Sequence, residues 1–103
     1  MTEKMFDCLL EERISKIRSV LKAKGREYST AADCLHNFKR AAQCTGETPA
    51  EVCVGFFVKH LVSILDLVDA LARGQAGPAR EYVEEKIGDA INYLIILEAI
   101  LKE

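Results

Sequence analysis

The chain is 103 residues long, half of them hydrophobic and 29% charged, with a formal net charge of −2. That length gives one domain with a modest core, and the composition excludes disorder. The near-neutral charge gives no electrostatic footprint for a polyanion, so nucleic acid is not expected as a partner.

"MTEKMFDCLLEERISK" at the start has no apolar run long enough for a signal peptide or a membrane span, so the expectation is a soluble protein without a membrane partner, in the cytoplasm. From Glu3 to Lys24 the apolar residues Phe6, Leu9, Leu10, Ile14, Ile17, Val20 and Leu21 recur every three or four positions, and Gly25 follows. The spacing predicts an amphipathic helix over 3–24. In the next stretch Ser29, Thr30 and Asp33 offer caps, while Leu35, Phe38 and Ala42 form a weaker stripe before Gly46. A second helix is expected over 31–43.

Thr48-Pro49-Ala50-Glu51 is a strong start signal, a capping box with proline at the first helical position. It opens a third helix over 49–73, apolar on more than one side and therefore central. "RGQAGP" makes a turn, and Pro78 opens a fourth helix over 78–102. No stretch alternates with the period of a strand. The fold expected is all-α: a single domain, 1–103, with short loops joining antiparallel neighbours in a four-helix bundle. The fourth helix is apolar nearly all round from Ala90 to Leu101, more than a small bundle covers, so a two-fold homodimer is expected.

Cys8, Cys34, Cys44 and Cys53 show no CxxC spacing. Cys34-x-His36 is at most half a zinc site with no second pair to complete it, and small apolar packing is the expectation for the thiols.

The polar residues of the last two helices carry the functional question. Lys59, Ser63 and Asp66 follow an i, i+4, i+7 spacing, as do Glu85, Asp89 and Asn92. A hairpin folded about Gln75 sets Lys59 opposite Asn92, Ser63 opposite Asp89 and Asp66 opposite Glu85, in the middle of an otherwise apolar seam. One reading is structural: Lys59 and Asp89 form an ion pair, and Ser63 and Asn92 fix helix register. Another leaves the strip solvated on a face that does not pack. The functional reading gathers Asp66, Glu85 and Asp89 into a hard-oxygen site for Mg²⁺ or Mn²⁺, with Lys59 facing phosphate and Asn92 a sugar or base. Gly88, beside the stripe, permits a close approach. His60 lies about 100° round the helix from Lys59, off the stripe, and is expected to pack rather than bind.

At these residues a resemblance enters. "EEKIGDAINYLIILEAIL" resembles the second acidic helix of the MazG-type all-alpha nucleoside triphosphate pyrophosphohydrolases, in which a Glu-x-x-Asp motif binds magnesium. "KGREYSTAADCLHNFKRAA", "KHLVSILDLVDAL" and "EEKIGDAINYL" together resemble short phage and prophage proteins of unassigned function that are distantly similar to that superfamily. Asp89 matches the aspartate of the acidic motif; the glutamate expected three residues earlier is Lys86, with Glu85 beside it, and Asp66-x-x-Asp69 is the nearest acidic pair on the preceding helix. Tyr28 and Asn37 match positions of the phage-type pattern, and an aromatic ring with an amide can recognise a base, although a half-buried tyrosine and a capping amide are the favoured account of them.

The resemblance implies a nucleotide-handling protein, a divalent-metal-dependent NTP pyrophosphohydrolase. Its rival is a noncatalytic phage or prophage protein that binds a host component or sequesters a nucleotide, working in the host cytoplasm if phage-encoded. There is no GxxxxGK[ST] phosphate loop and no constellation for covalent catalysis.

Overall fold

The computed structural model describes residues 1–28 and 33–103, and the side chains of all of these except 24–28. Among the described residues there are four helices: α1 (Glu3–Tyr28), α2 (His36–Thr45), α3 (Pro49–Ala72) and α4 (Arg80–Lys102). The all-α expectation stands.

The hydroxyl of Thr2 opens α1 by accepting from the Met5 backbone N–H at 3.1 Å. The helix does not stop at Gly25 as expected but runs on to Tyr28, because one glycine costs a helix only about 1 kcal/mol and a long amphipathic run absorbs that. The first residues expected in α2 lie partly outside the described ones. The observed start is His36, because Asp33 turns the chain first: its carboxylate accepts from the Leu35 N–H at 2.9 Å and from Lys39 Nζ at 2.7 Å. At the far end Gly46, at φ 74°, donates its N–H to the Ala42 carbonyl, a left-handed cap that a side chain would strain.

The capping box on α3 forms as read. Glu51 N–H donates to Thr48 Oγ1 at 3.2 Å, and Thr48 N–H donates to Glu51 Oε1 at 3.1 Å. The Thr48 N–H and then the Thr48 hydroxyl, both donating to Glu51 Oε1, hold that carboxyl below its ordinary pKa.

The arrangement is bundle-like, with principal neighbours in the spatial order α1, α4, α3, α2. Helices α3 and α4 form an antiparallel hairpin: Cys53 Sγ lies 3.5 Å from the Tyr93 carbonyl, and His60 meets Asp89 one turn further back along α4. Phe38 of α2 packs edge-on against Phe56 of α3, ring centroids 6.3 Å apart. Helix α1 departs from the expected pattern of antiparallel neighbours. Its contacts advance in the same direction as α4, Glu12 with Arg80 and then Lys16 with Glu84, so the two helices run parallel. Lys39 of α2 bonds Glu103 just past the end of α4.

The buried apolar side chains among the described residues are small: Ala42, Val52, Cys53 and Ala90. Burial pushes the Cys53 thiol up. Cys8, Cys34 and Cys44 are exposed, against the expectation that they pack inside; each sits where its helix or turn faces solvent. The radius of gyration is 16.0 Å, against about 13 Å for a compact chain of this length. No helix among the described residues is long and apolar enough to cross a membrane.

Candidate functional site

Between α1 and α4 lies a cleft of about 250 Å³. From α4 come Glu81, Glu85 and Asp89, one turn apart on a single face, with Asn92 next along it; from α1 come Arg13, Lys16 and Val20. Three of the residues singled out from sequence, Glu85, Asp89 and Asn92, therefore share this wall, and the facing wall carries cations that the sequence reading did not select.

Asn92 is 93% buried, its relative exposure being 7%, and its side-chain oxygen meets no hydrogen-bond donor among the described residues. A buried amide oxygen left so is destabilising by roughly 1–3 kcal/mol.

Arg13 is brought across α4 by Gly88. A β-carbon at that position would lie 2.5 Å from Arg13 Nη1, so any side chain there would push the guanidinium aside. Arg13 Nη2 donates to the Glu84 carbonyl at 3.0 Å. The Glu84 carboxylate accepts from Lys16 Nζ at 2.6 Å and Arg80 Nε at 3.1 Å, and these cations, Lys16 first, hold its pKa below the ordinary range. Glu84 thus clasps α1 to α4, while Glu85 and Asp89 face the cleft with Arg13 alongside.

The expected register of the α3–α4 hairpin is corrected. His60 rather than Ser63 lies opposite Asp89, Nδ1 to Oδ2 at 3.6 Å, and Tyr93 rather than Asn92 faces α3. The Tyr93 ring stacks on His60 at 5.1 Å and on Phe56 at 6.1 Å between centroids. Broad ring faces gain more from contact than a ladder of small polar groups, so they set the register. Ser63 spends its hydroxyl within α3, donating to the Lys59 carbonyl at 3.3 Å. Asn92, about 100° round from Tyr93, is turned toward α1.

Lys59 and Asp66 do not line the cleft. Both are exposed on α3, and Lys59 Nζ sits 5.8 Å from the Phe56 ring centroid. Asn37 is exposed in the first turn of α2, and the side chain of Tyr28 lies outside the described residues. Asp66, Glu85 and Asp89 are not gathered: no three His, Cys, Asp or Glu among the described residues stand together as a metal-holding group. The cleft offers Glu85 and Asp89, one turn apart, and magnesium takes one or two carboxylates when phosphates and waters complete its shell.

Arg13 and Lys16 escaped sequence reasoning because their stripe on α1 reads as the polar half of an amphipathic helix. The one local signal was Gly88, a residue without a side chain inside α4.

No family model, curated protein or solved structure matches the chain.

Proposed function

We propose that the α1–α4 cleft binds a nucleotide through its phosphates, and that the chain acts on it as a divalent-metal-dependent nucleoside triphosphate pyrophosphohydrolase. The observation that carries this reading is the unmatched amide oxygen of Asn92, buried on the same helix face as Glu85 and Asp89. An N–H of a base or a hydroxyl of a sugar supplies the donor it lacks. Arg13, lying over Gly88, faces the phosphate charge.

Glu85 and Asp89 would hold the Mg²⁺ or Mn²⁺, which when bound supplies charge against the phosphates and a more acidic water. Asp89 stands between the cleft and His60, so the imidazole holds the carboxylate's orientation from the α3 side. Asp66 and Lys59, out on α3, take no part in the reaction. In this reading the protein works in the cytoplasm, as a homodimer.

One observation favours a second reading, sequestration of a nucleotide without cleavage. Lys86 occupies the position of the motif's glutamate, and its ammonium sits 5.2 Å from the Tyr82 ring centroid, so one carboxylate of the family pattern is replaced by a cation committed to packing. A phage-type protein of that kind would act on a host component or on the nucleotide pool.

The test is release of pyrophosphate and nucleoside monophosphate from a panel of ribo- and deoxyribonucleoside triphosphates with Mg²⁺ or Mn²⁺. Turnover that needs the metal and disappears in Asp89→Asn is expected. Nucleotide binding without turnover moves the assignment to sequestration, and neither binding nor turnover overturns the site.

A further inference from the structure

A second cavity, a groove of about 690 Å³, runs between the first half of α1 and the start of α4. It adjoins the cleft, sharing Arg13, Lys16 and Glu84 with it. Its apolar walls are Met5, Cys8 and Leu9 from α1 and Val83 and Ile87 from α4. A cavity of that size, mostly apolar with a few charged groups at its edge, has the proportions of a small-molecule site, roughly 300–1,000 Å³. One helical turn, 5.4 Å long and about 10 Å across, fills about 420 Å³. The groove therefore holds fewer than two turns, and its scale is that of a small molecule.

Charge narrows the class of molecule. Lys4, Glu12, Arg13, Lys16, Arg80 and Glu84 line the groove, four cations against two carboxylates. Both carboxylates are taken, Glu84 by Lys16 and Arg80, and Glu12 by Arg80. Lys4 and Arg13 meet no carboxylate among the described residues, so the groove has an excess of positive charge in a chain whose formal net charge is −2. Arg13 is half-buried, and its hydrogen bond goes to the Glu84 backbone carbonyl, a dipole and not a counter-charge.

We propose that this groove binds a single-chain anionic amphiphile, a free fatty-acid carboxylate, with its head at Arg13 and its alkyl chain along Leu9, Cys8 and Met5. The carboxylate gives the guanidinium the charged acceptor it lacks. The alkyl chain covers the apolar walls, and the unbranched thioether of Met5 adapts to it. Lengths agree: from Arg13 back to Lys4 the groove runs about 14 Å along α1, and one acyl chain spans about 15 Å, half of a bilayer's roughly 30 Å core. The groove stands independently of the nucleotide reading, since its apolar walls are no part of the cleft.

The probe is dodecanoate, kept below its micelle concentration and titrated into the full chain by calorimetry. Dodecanol and dodecyltrimethylammonium are its neutral and cationic counterparts. Dodecanoate is expected to saturate at one per chain, about 10-fold or more tighter than dodecanol, with the cation weakest. Arg13→Gln is expected to bring the carboxylate down to the alcohol while the helical circular dichroism is kept. Cys8 and Cys44 are both exposed, and Cys8 alone lines the groove; dodecanoate is expected to slow alkylation of Cys8 and leave that of Cys44 unchanged.

Equal binding of the three chains, or no saturable binding, overturns the site. So does a Cys8 that dodecanoate leaves unprotected. Sedimentation with anionic vesicles in a chain that ignores free dodecanoate assigns the groove to a bilayer surface and overturns it as a site for the free molecule. Should Arg13→Gln fail to fold, the three headgroups and the Cys8 protection decide on the unaltered chain.

Discussion

Asn92 and Gly88 are both poor choices for a helix that only has to pack. The amide keeps an unmatched oxygen inside, and the glycine weakens α4 by roughly 0.5–1 kcal/mol relative to alanine. Asn92→Leu keeps the volume and removes the unmatched oxygen, so chemical denaturation is expected to show a gain of about 1 kcal/mol, with nucleotide binding lost. A destabilised variant would mean that the amide is already satisfied in the folded chain. Gly88→Ala forces only the tip of a flexible side chain, Arg13 Nη1, to move. Its melting temperature should hold or rise while nucleotide affinity falls, measured by calorimetry on one preparation. Asp89 and Asn92 stood out in the sequence as candidates because polar groups interrupted an apolar run. Arg13 and Lys16 were not, since what singles them out is contact with a helix some 70 positions away, which no local spacing encodes.

Among the elements, α3 has the clearest start. Thr48→Ala removes half of the capping box and is expected to lower stability by about 1 kcal/mol in urea denaturation. The same box gives a pH dependence. Glu51 has a folded pKa below its unfolded one, so its contribution is fully present above the ordinary carboxylate range, near pH 4, and is lost as pH falls through the lowered folded value. Asp33, held down first by Lys39, and Glu84, held down first by Lys16, act in the same sense. Glu51→Gln is expected to flatten the acid limb of the stability profile, and an unchanged slope would place that dependence on the other two.

Helix type, the Thr48 start and the Gly46 stop were all readable in advance because they rest on residues within four positions of one another. The late start of α2 turned on whether Asp33 capped or turned the chain. The run of α1 past Gly25 turned on a cost of about 1 kcal/mol, too small to read from a single residue. Hairpin register failed for a different reason: it was decided by how the Phe56, His60 and Tyr93 rings stack across two helices.

At the scale of the molecule, α1 stands at the end of the row, with α4 as its principal neighbour. Met5, Phe6, Leu9 and Leu10 remain exposed along it, and the clasp at Glu84 is made with the exposed cations Lys16 and Arg80. Exposed ion pairs contribute at most about 1 kcal/mol each. The helix that supplies one wall of the cleft is, among the described residues, held to α4 chiefly by such surface contacts, and is expected to open before the α3–α4 hairpin does. If the cleft takes a nucleotide as proposed, occupying it and docking α1 are one equilibrium, and the bound ligand makes the open form rarer. In amide hydrogen exchange, α1 is expected to exchange ahead of α3 and α4 and to become protected when nucleotide and Mg²⁺ are added. Equal protection across all four helices would mean that the chain opens only as a whole. Under the proposed reading, recognition would be a late step of the chain's own folding, completed by the nucleotide.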